Sequence, residues 1–220
     1  MFEVEKRKAI STNPKIMLLY GAPKVGKTTM LSKLDDCLII DTEDGSRMIE
    51  GHILSVNSKD ELMKFYADAG EKLDSFQYIA LDTIDYLIEW TERAVCAEFQ
   101  VPSIADLAYG KGFGLVREKV INNVKKLASM VDGGLIVIGH RKTASAVENS
   151  NAVDPQSLDI SGKLKNKLMA MSDAVGFVHR DDDNALKVSF EASNALEAGS
   201  RCPHLRGQVI DFDWTLIYKQ

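Results

Sequence analysis

Gly21-Ala22-Pro23-Lys24-Val25-Gly26-Lys27-Thr28, with Thr29 behind it, fills every fixed position of the pattern G-x-x-x-x-G-K-[ST]. Its flanks agree with the motif. Ile16 to Tyr20 is a short apolar run of the buried-strand kind, and Thr28 to Leu34 reads as the opening of a helix. Strand, glycine loop and helix start, in that order, make a phosphate-binding unit. The two glycines let successive N–H groups turn inward, and the helix N-terminus adds partial positive charge. Residues 21 to 29 are therefore the expected polyphosphate cradle, with Lys27 reaching the outer phosphates and Thr28 ligating Mg²⁺.

Downstream, Cys37 to Ile40 is a second buried strand, and it ends in Asp41-Thr42-Glu43-Asp44-Gly45. Acids thus stand at a strand's C-terminal edge, where open α/β sheets place their chemistry. A short strand is expected over 52–56, then a helix capped by Ser58 that runs to about Ala69 and closes at Gly70. Phe76 to Leu81 is the next strand, and Asp82 at its end supplies the carboxylate expected to face Thr28 across Mg²⁺. Asp85 competes for that role but reads better as a first-turn acid of a helix from Ile84 to about Phe99.

Residues 100–113 read as a loop that leads into Tyr109-Gly110-Lys111-Gly112-Phe113-Gly114. Glycines around a lysine and two aromatics suit a mobile contact for single-stranded nucleic acid, and equally a helix-entry loop with its rings in the core. Val116, Val120, Val124, Leu127 and Val131 then mark an amphipathic helix, with Lys119, Lys125 and Lys126 off the stripe. Leu135 to Gly139 is a fully apolar strand that delivers His140 to the sheet edge, where it serves either as a structural group or as a sensor of outer phosphate and water. A polar loop is expected from Arg141 to Ser161. The stretch 141–167 carries Arg141, Lys142, Lys163, Lys165 and Lys167 against Glu148, Asp154 and Asp159, a net positive charge in an acidic chain. Two further strands, Ala174 to His179 and Ala185 to Glu191, are joined by Asp181-Asp182-Asp183-Asn184, so the C-terminal part reads as an antiparallel extension of the sheet.

The chain of 220 residues, 45% hydrophobic, suffices for one domain over residues 1–220 with no evident boundary or repeat. A net charge of −5 excludes coating of duplex DNA by bulk electrostatics, though not a local basic groove. Cys37, Cys96 and Cys202 are dispersed and suggest neither a disulfide framework nor a zinc site. The absence of a long apolar run and of an apolar leader over Met1 to Ile10 points to a cytoplasmic protein without a membrane span.

Many helicase-like and AAA-type ATPases carry a water-activating glutamate directly after the Mg²⁺ aspartate; here Thr83 occupies that position. The phosphate loop, the IIDTEDG and IALDTIDYL strand ends, the YGKGFG segment and the VIGHRK strand end together resemble the RecA-like ATPases, in particular small phage-encoded single-strand annealing or recombination proteins. The resemblance implies an α/β fold with a mainly parallel sheet flanked by helices, ATP and Mg²⁺ as ligands, and Glu43 as the base for the attacking water, with Asp41 as its alternate. It places His140 where RecA has glutamine. It also implies single-stranded DNA contacts from the 109–114 and 141–160 segments through Lys111, Phe113, Arg141 and Lys142. Assembly into a homo-oligomeric ring or filament is implied as well, with Arg201 reaching a neighbour's nucleotide. A small-molecule kinase and a nucleotide-regulated interaction module are the competing readings; dispersed arginines weigh against the first, and paired Glu43 and Asp82 against the second.

Overall fold

In a computed structural model of the chain, which describes residues 12–142 and 156–219, the apolar runs join into one nine-stranded sheet. Six strands are parallel: β1 (Ile16–Gly21), β2 (Cys37–Asp41), β3 (His52–Ser55), β4 (Tyr78–Asp82), β5 (Gly134–His140) and β6 (Ala174–Arg180). Three shorter ones, β7 (Leu186–Ser189), β8 (Gly199–Ser200) and β9 (Val209–Asp211), are antiparallel to their neighbours. The order is β3-β2-β4-β5-β1-β6-β7-β9, and β8 pairs with β6. The fold class is the one expected, with a mostly parallel sheet and an antiparallel C-terminal extension.

The central strands are apolar without interruption because both faces are covered. Leu18, Tyr20, Leu81 and Val137 face one core, shared with helices α2 (Lys59–Ala69), α3 (Ile84–Phe99), α4 (Lys111–Ser129) and α5 (Gly162–Met171). Met17, Leu19, Ala80 and Ile138 alternate onto the other, where α1 (Lys27–Leu31) and α6 (Trp214–Ile217) pack. Each such buried aliphatic side chain contributes about 1.5–3 kcal/mol. The second core is closed from the far end of the chain. The Trp214 indole donates to the Met30 carbonyl at 2.6 Å, and Asn13 and Lys219 exchange two hydrogen bonds of 2.7 and 3.0 Å.

Local signals hold in detail. Ser58 accepts from the Glu61 N–H at 3.2 Å, and the expected stripe Val116, Val120, Val124, Leu127 is buried. Asp181 closes the β6–β7 turn by accepting from Asp183 and Ala185.

Two expectations need correction. The helix after the phosphate loop ends at Leu31, not Leu34, because Lys33 and Leu34 bond back only three residues and Asp36 turns to φ 53°. The 100–113 segment is not a continuous loop. Two 3₁₀ turns, Ile104–Asp106 and Ala108–Gly110, lead into α4, which begins at Lys111 and so contains Gly112, Phe113 and Gly114. Gly112 is there for close approach, since a Cβ would strike the Ile104 carbonyl, whereas Gly114 meets only the flexible tip of Arg117. Of the polar loop expected over 141–161, residues 143–155 lie outside the described residues, as do residues 1–11.

The two glycines of this helix should therefore respond oppositely to the same change. Gly112→Ala is expected to cost about 1–3 kcal/mol through overpacking, and Gly114→Ala to add about 0.5–1 kcal/mol through helix propensity, both measured by thermal or urea unfolding.

Candidate active site at the C-terminal edge of the sheet

The register of the parallel strands assembles the site. Asp41 pairs with Asp82, Asp82 with Ile138, and Gly21 with His140, so the ends of β2, β4, β5 and β1 stand in one row. β5 lies between the phosphate-loop strand and the Asp82 strand, which puts His140 between the loop and the acids.

In the loop, Gly26 adopts φ 121°, a conformation that side-chain-bearing residues rarely take. Lys27 is buried, and its ammonium donates to the Gly21 and Ala22 carbonyls at 3.1 and 3.0 Å. Burial lowers its pKa, while Asp82, Glu43 and Asp85 pull the other way. Thr28 donates to the Asp82 carboxylate at 2.6 Å. The expected metal pair is thus in contact, two hard oxygen donors of the type Mg²⁺ takes. Asp82 is 5% exposed, and burial pushes its carboxyl up to about 6, with Glu43 and Asp41 adding to the rise against the Thr28 hydrogen bond and Lys27. A cation beside it would hold that carboxylate ionised, so the residues present fit the ion.

The candidate bases separate by their partners. Burial alone would push the Asp41 carboxyl up, but donation from Ser46 Oγ and from the Ser46, Glu43 and Gly45 N–H groups brings it below the ordinary range. Asp41 folds the loop after β2 and has no capacity left for water. Glu43 is half-buried and accepts from the Thr83 hydroxyl at 3.1 Å. Thr83 also bonds Thr42 through its N–H and its carbonyl, at 2.7 and 3.0 Å, which ties the end of β2 to that of β4. Thr83 thus orients the carboxylate of Glu43 from the neighbouring strand end.

His140 lies with Nδ1 3.3 Å from Asp85 and Nε2 3.5 Å from Glu43. Its pKa is raised, first by the Asp85 hydrogen bond and further by the charges of Asp85 and Glu43, against burial and Lys27. Asp85 is therefore more than a first-turn acid of α3, though no spacing rule links positions 85 and 140. Arg180, which no motif singles out, stands beside the loop: its guanidinium and Leu186 lie 3.7 and 3.3 Å from where a Gly26 Cβ would be.

Lys27, Thr28, Glu43, Asp82 and His140 thus converge, with Arg141 at their border, while Phe113, Lys111 and Arg201 lie apart. Arg141 borders the pocket with Glu43 and His140, and Lys142 follows it at the surface. Phe113 is exposed, and Lys111 sits 4.6 Å over the Phe99 ring. Arg201 is at the opposite edge of the sheet, beside the start of β6, where it donates to the Ala170 carbonyl and lies 3.6 Å from Asp173.

The raised carboxyl of Asp82 fixes a sign. Its folded pKa of about 6 exceeds the ordinary aspartate value of 3.8, so the folded state retains the proton longer and loses stability as pH climbs between those values. In nucleotide-free protein, Asp82→Asn is expected to raise the melting temperature by roughly 3–6 °C at pH 8. At pH 4 it should leave the melting temperature unchanged.

Among the described residues no helix is long and apolar enough to cross a membrane. The SPbeta prophage-derived uncharacterized protein YorG of Bacillus subtilis (strain 168) is 26% identical over 129 residues, 56% of this chain and 39% of that protein. The chain therefore spans about two fifths of that relative's length. A crystal structure of the RadB recombinase aligns with a TM-score of 0.48 at 15% identity, over 90% of this chain and 86% of that one. The sequence pattern of the family described as AAA domain matches residues 13–202, a span that contains the phosphate loop, Glu43, Asp82 and His140, and the chain belongs to this family of P-loop ATPases.

Proposed function

We propose that the chain hydrolyses ATP with Mg²⁺ and that single-stranded DNA modulates this turnover in a recombination or strand-annealing role. The observation that carries the hydrolytic reading is Glu43, held by Thr83 and facing His140 beside the Thr28–Asp82 pair. Lys27 and the loop N–H groups bind the β and γ phosphates, Thr28 and Asp82 hold Mg²⁺, and Glu43 takes the proton of the attacking water. The ion, when bound, draws charge from the phosphate oxygens. A kinase would need a second acceptor bound beside Glu43; the pocket there, lined by Glu43, Asp85, Glu89 and Asp159 with Arg141, suits water better than a phosphate-accepting metabolite.

Support for a strand comes from the neighbouring cleft of about 720 Å³, which adjoins that pocket and carries the exposed Tyr109 and Phe113 at its rim. Its acids, Asp85, Glu89, Glu92 and Asp159, outnumber Arg117 and Lys163. Bases stacked on the rings are therefore the strand's contact with the cleft, and its phosphates fall to Lys111, Arg141 and Lys142 outside it.

Lys27→Ala and Glu43→Gln are each expected to lower turnover at least about 10²-fold, Glu43→Gln with nucleotide binding retained. Tyr109→Ala with Phe113→Ala should weaken binding of a fluorescent oligo-dT by roughly tenfold or more. Full turnover by Glu43→Gln would remove the hydrolytic role, and unchanged oligonucleotide affinity at low salt would remove the strand.

A further inference from the structure

Asp85 borders two spaces at once. It lines the pocket of about 430 Å³ that holds Glu43 and His140, and also the aromatic cleft of Tyr109 and Phe113. From the first turn of α3 it reaches His140 Nδ1 at 3.3 Å; Nε2 of the same ring faces Glu43 Oε1 at 3.5 Å, and Thr83 donates to that oxygen at 3.1 Å.

This chain of contacts is not required to satisfy a buried group. The side chains of His140, Glu43 and Asp85 are 27%, 31% and 31% exposed, so water can solvate each of them. What the contacts impose is direction. An imidazole anchored at Nδ1 cannot turn about its ring axis, so the position of Asp85 fixes where Nε2 points and hence how Glu43 is held against the Thr83 hydroxyl. The remaining charged groups around the ring are Lys27 from the phosphate loop, and Arg141, Glu89 and Asp159 along the pocket wall. None of them has a hydrogen bond to the imidazole among the described residues.

We propose that Asp85 is the positioning residue of the hydrolytic site, orienting Glu43 through His140. The inference rests on Glu43 being the base. Without the Asp85 carboxylate the imidazole is free to turn, and Glu43 is then held by Thr83 alone. Removing the Asp85 charge also removes the main support of the imidazolium form, so the proton on His140 leaves at lower pH.

The test uses the full chain with Asp85→Asn and Asp85→Glu. Nitrogen-detected magnetic resonance of the His140 ring is expected to show titration at lower pH in Asp85→Asn than in the native protein, with the native behaviour partly restored in Asp85→Glu. Steady-state hydrolysis is expected to show kcat down by about tenfold in Asp85→Asn, a fraction of what a positioned base contributes, with KM for ATP held within about twofold. The limb of the pH profile that follows His140 should move in the same direction as the ring titration. An identical ring titration in native and Asp85→Asn proteins, or native kcat and pH profile in that variant, overturns the proposal. Absence of turnover in the native chain, or full turnover by Glu43→Gln, counts instead against Glu43 as base, and the ring titration then decides the Asp85 contact by itself.

Discussion

The contact between the Thr28 hydroxyl and the Asp82 carboxylate is the constraint on which the rest of the molecule depends. A carboxylate sealed at the end of a covered sheet is unfavourable by itself, because burial removes the water that would solvate its charge. The fold maintains this arrangement by bringing a hydroxyl at the start of α1 and an aspartate at the end of β4 to 2.6 Å across an intervening strand. Every element that fixes the relative heights of β1, β5 and β4 therefore bears on the site, including the uninterrupted apolar faces that hold the three strands in register.

The same register explains why the acids divide their tasks. Three carboxylates stand within a few residues of two neighbouring strand ends, and their partners separate them. Asp41 is saturated by donors of its own loop, Asp82 is shielded and paired with Thr28, and Glu43 remains half-open between the Thr83 hydroxyl and the His140 ring. A carboxylate that is to accept a proton from water needs that incomplete set of partners. Saturation, as at Asp41, lowers basicity and blocks approach.

Much of this was legible in the sequence. The phosphate loop announces itself because its two glycines answer a backbone requirement and its Lys and Thr a ligand requirement. Asp82 follows because buried parallel strands are apolar until they end, and the first acid past the run marks the edge; on β2 that rule stops at Asp41, and Glu43 follows only from the resemblance to RecA-like ATPases. The helix over 84–99 and the stripe from Val116 follow from periodicity alone. What stayed hidden depends on contacts between distant positions. Glycines at 110, 112 and 114 look alike in a sequence, yet Gly112 is set by the Ile104 carbonyl beside it. Thr83 reads as a missing glutamate until the end of β2 is seen to lie next to it. The pairing of Asp85 with His140 spans 55 positions and obeys no helical or strand period.

The bond from Trp214 to the Met30 carbonyl has a consequence for how the molecule comes into being. The helix that opens at Lys27 is five residues long, too short to persist alone in water, and its end is secured by a side chain 184 positions later. Asn13 likewise waits for Lys219. On the ribosome, α1 leaves the exit tunnel early but lacks its core partners Phe212, Trp214 and Tyr218 until translation has passed them. Until residue 214 has been made, the short helix behind the phosphate loop therefore lacks the side chain that holds its end, and the second core closes late and at once.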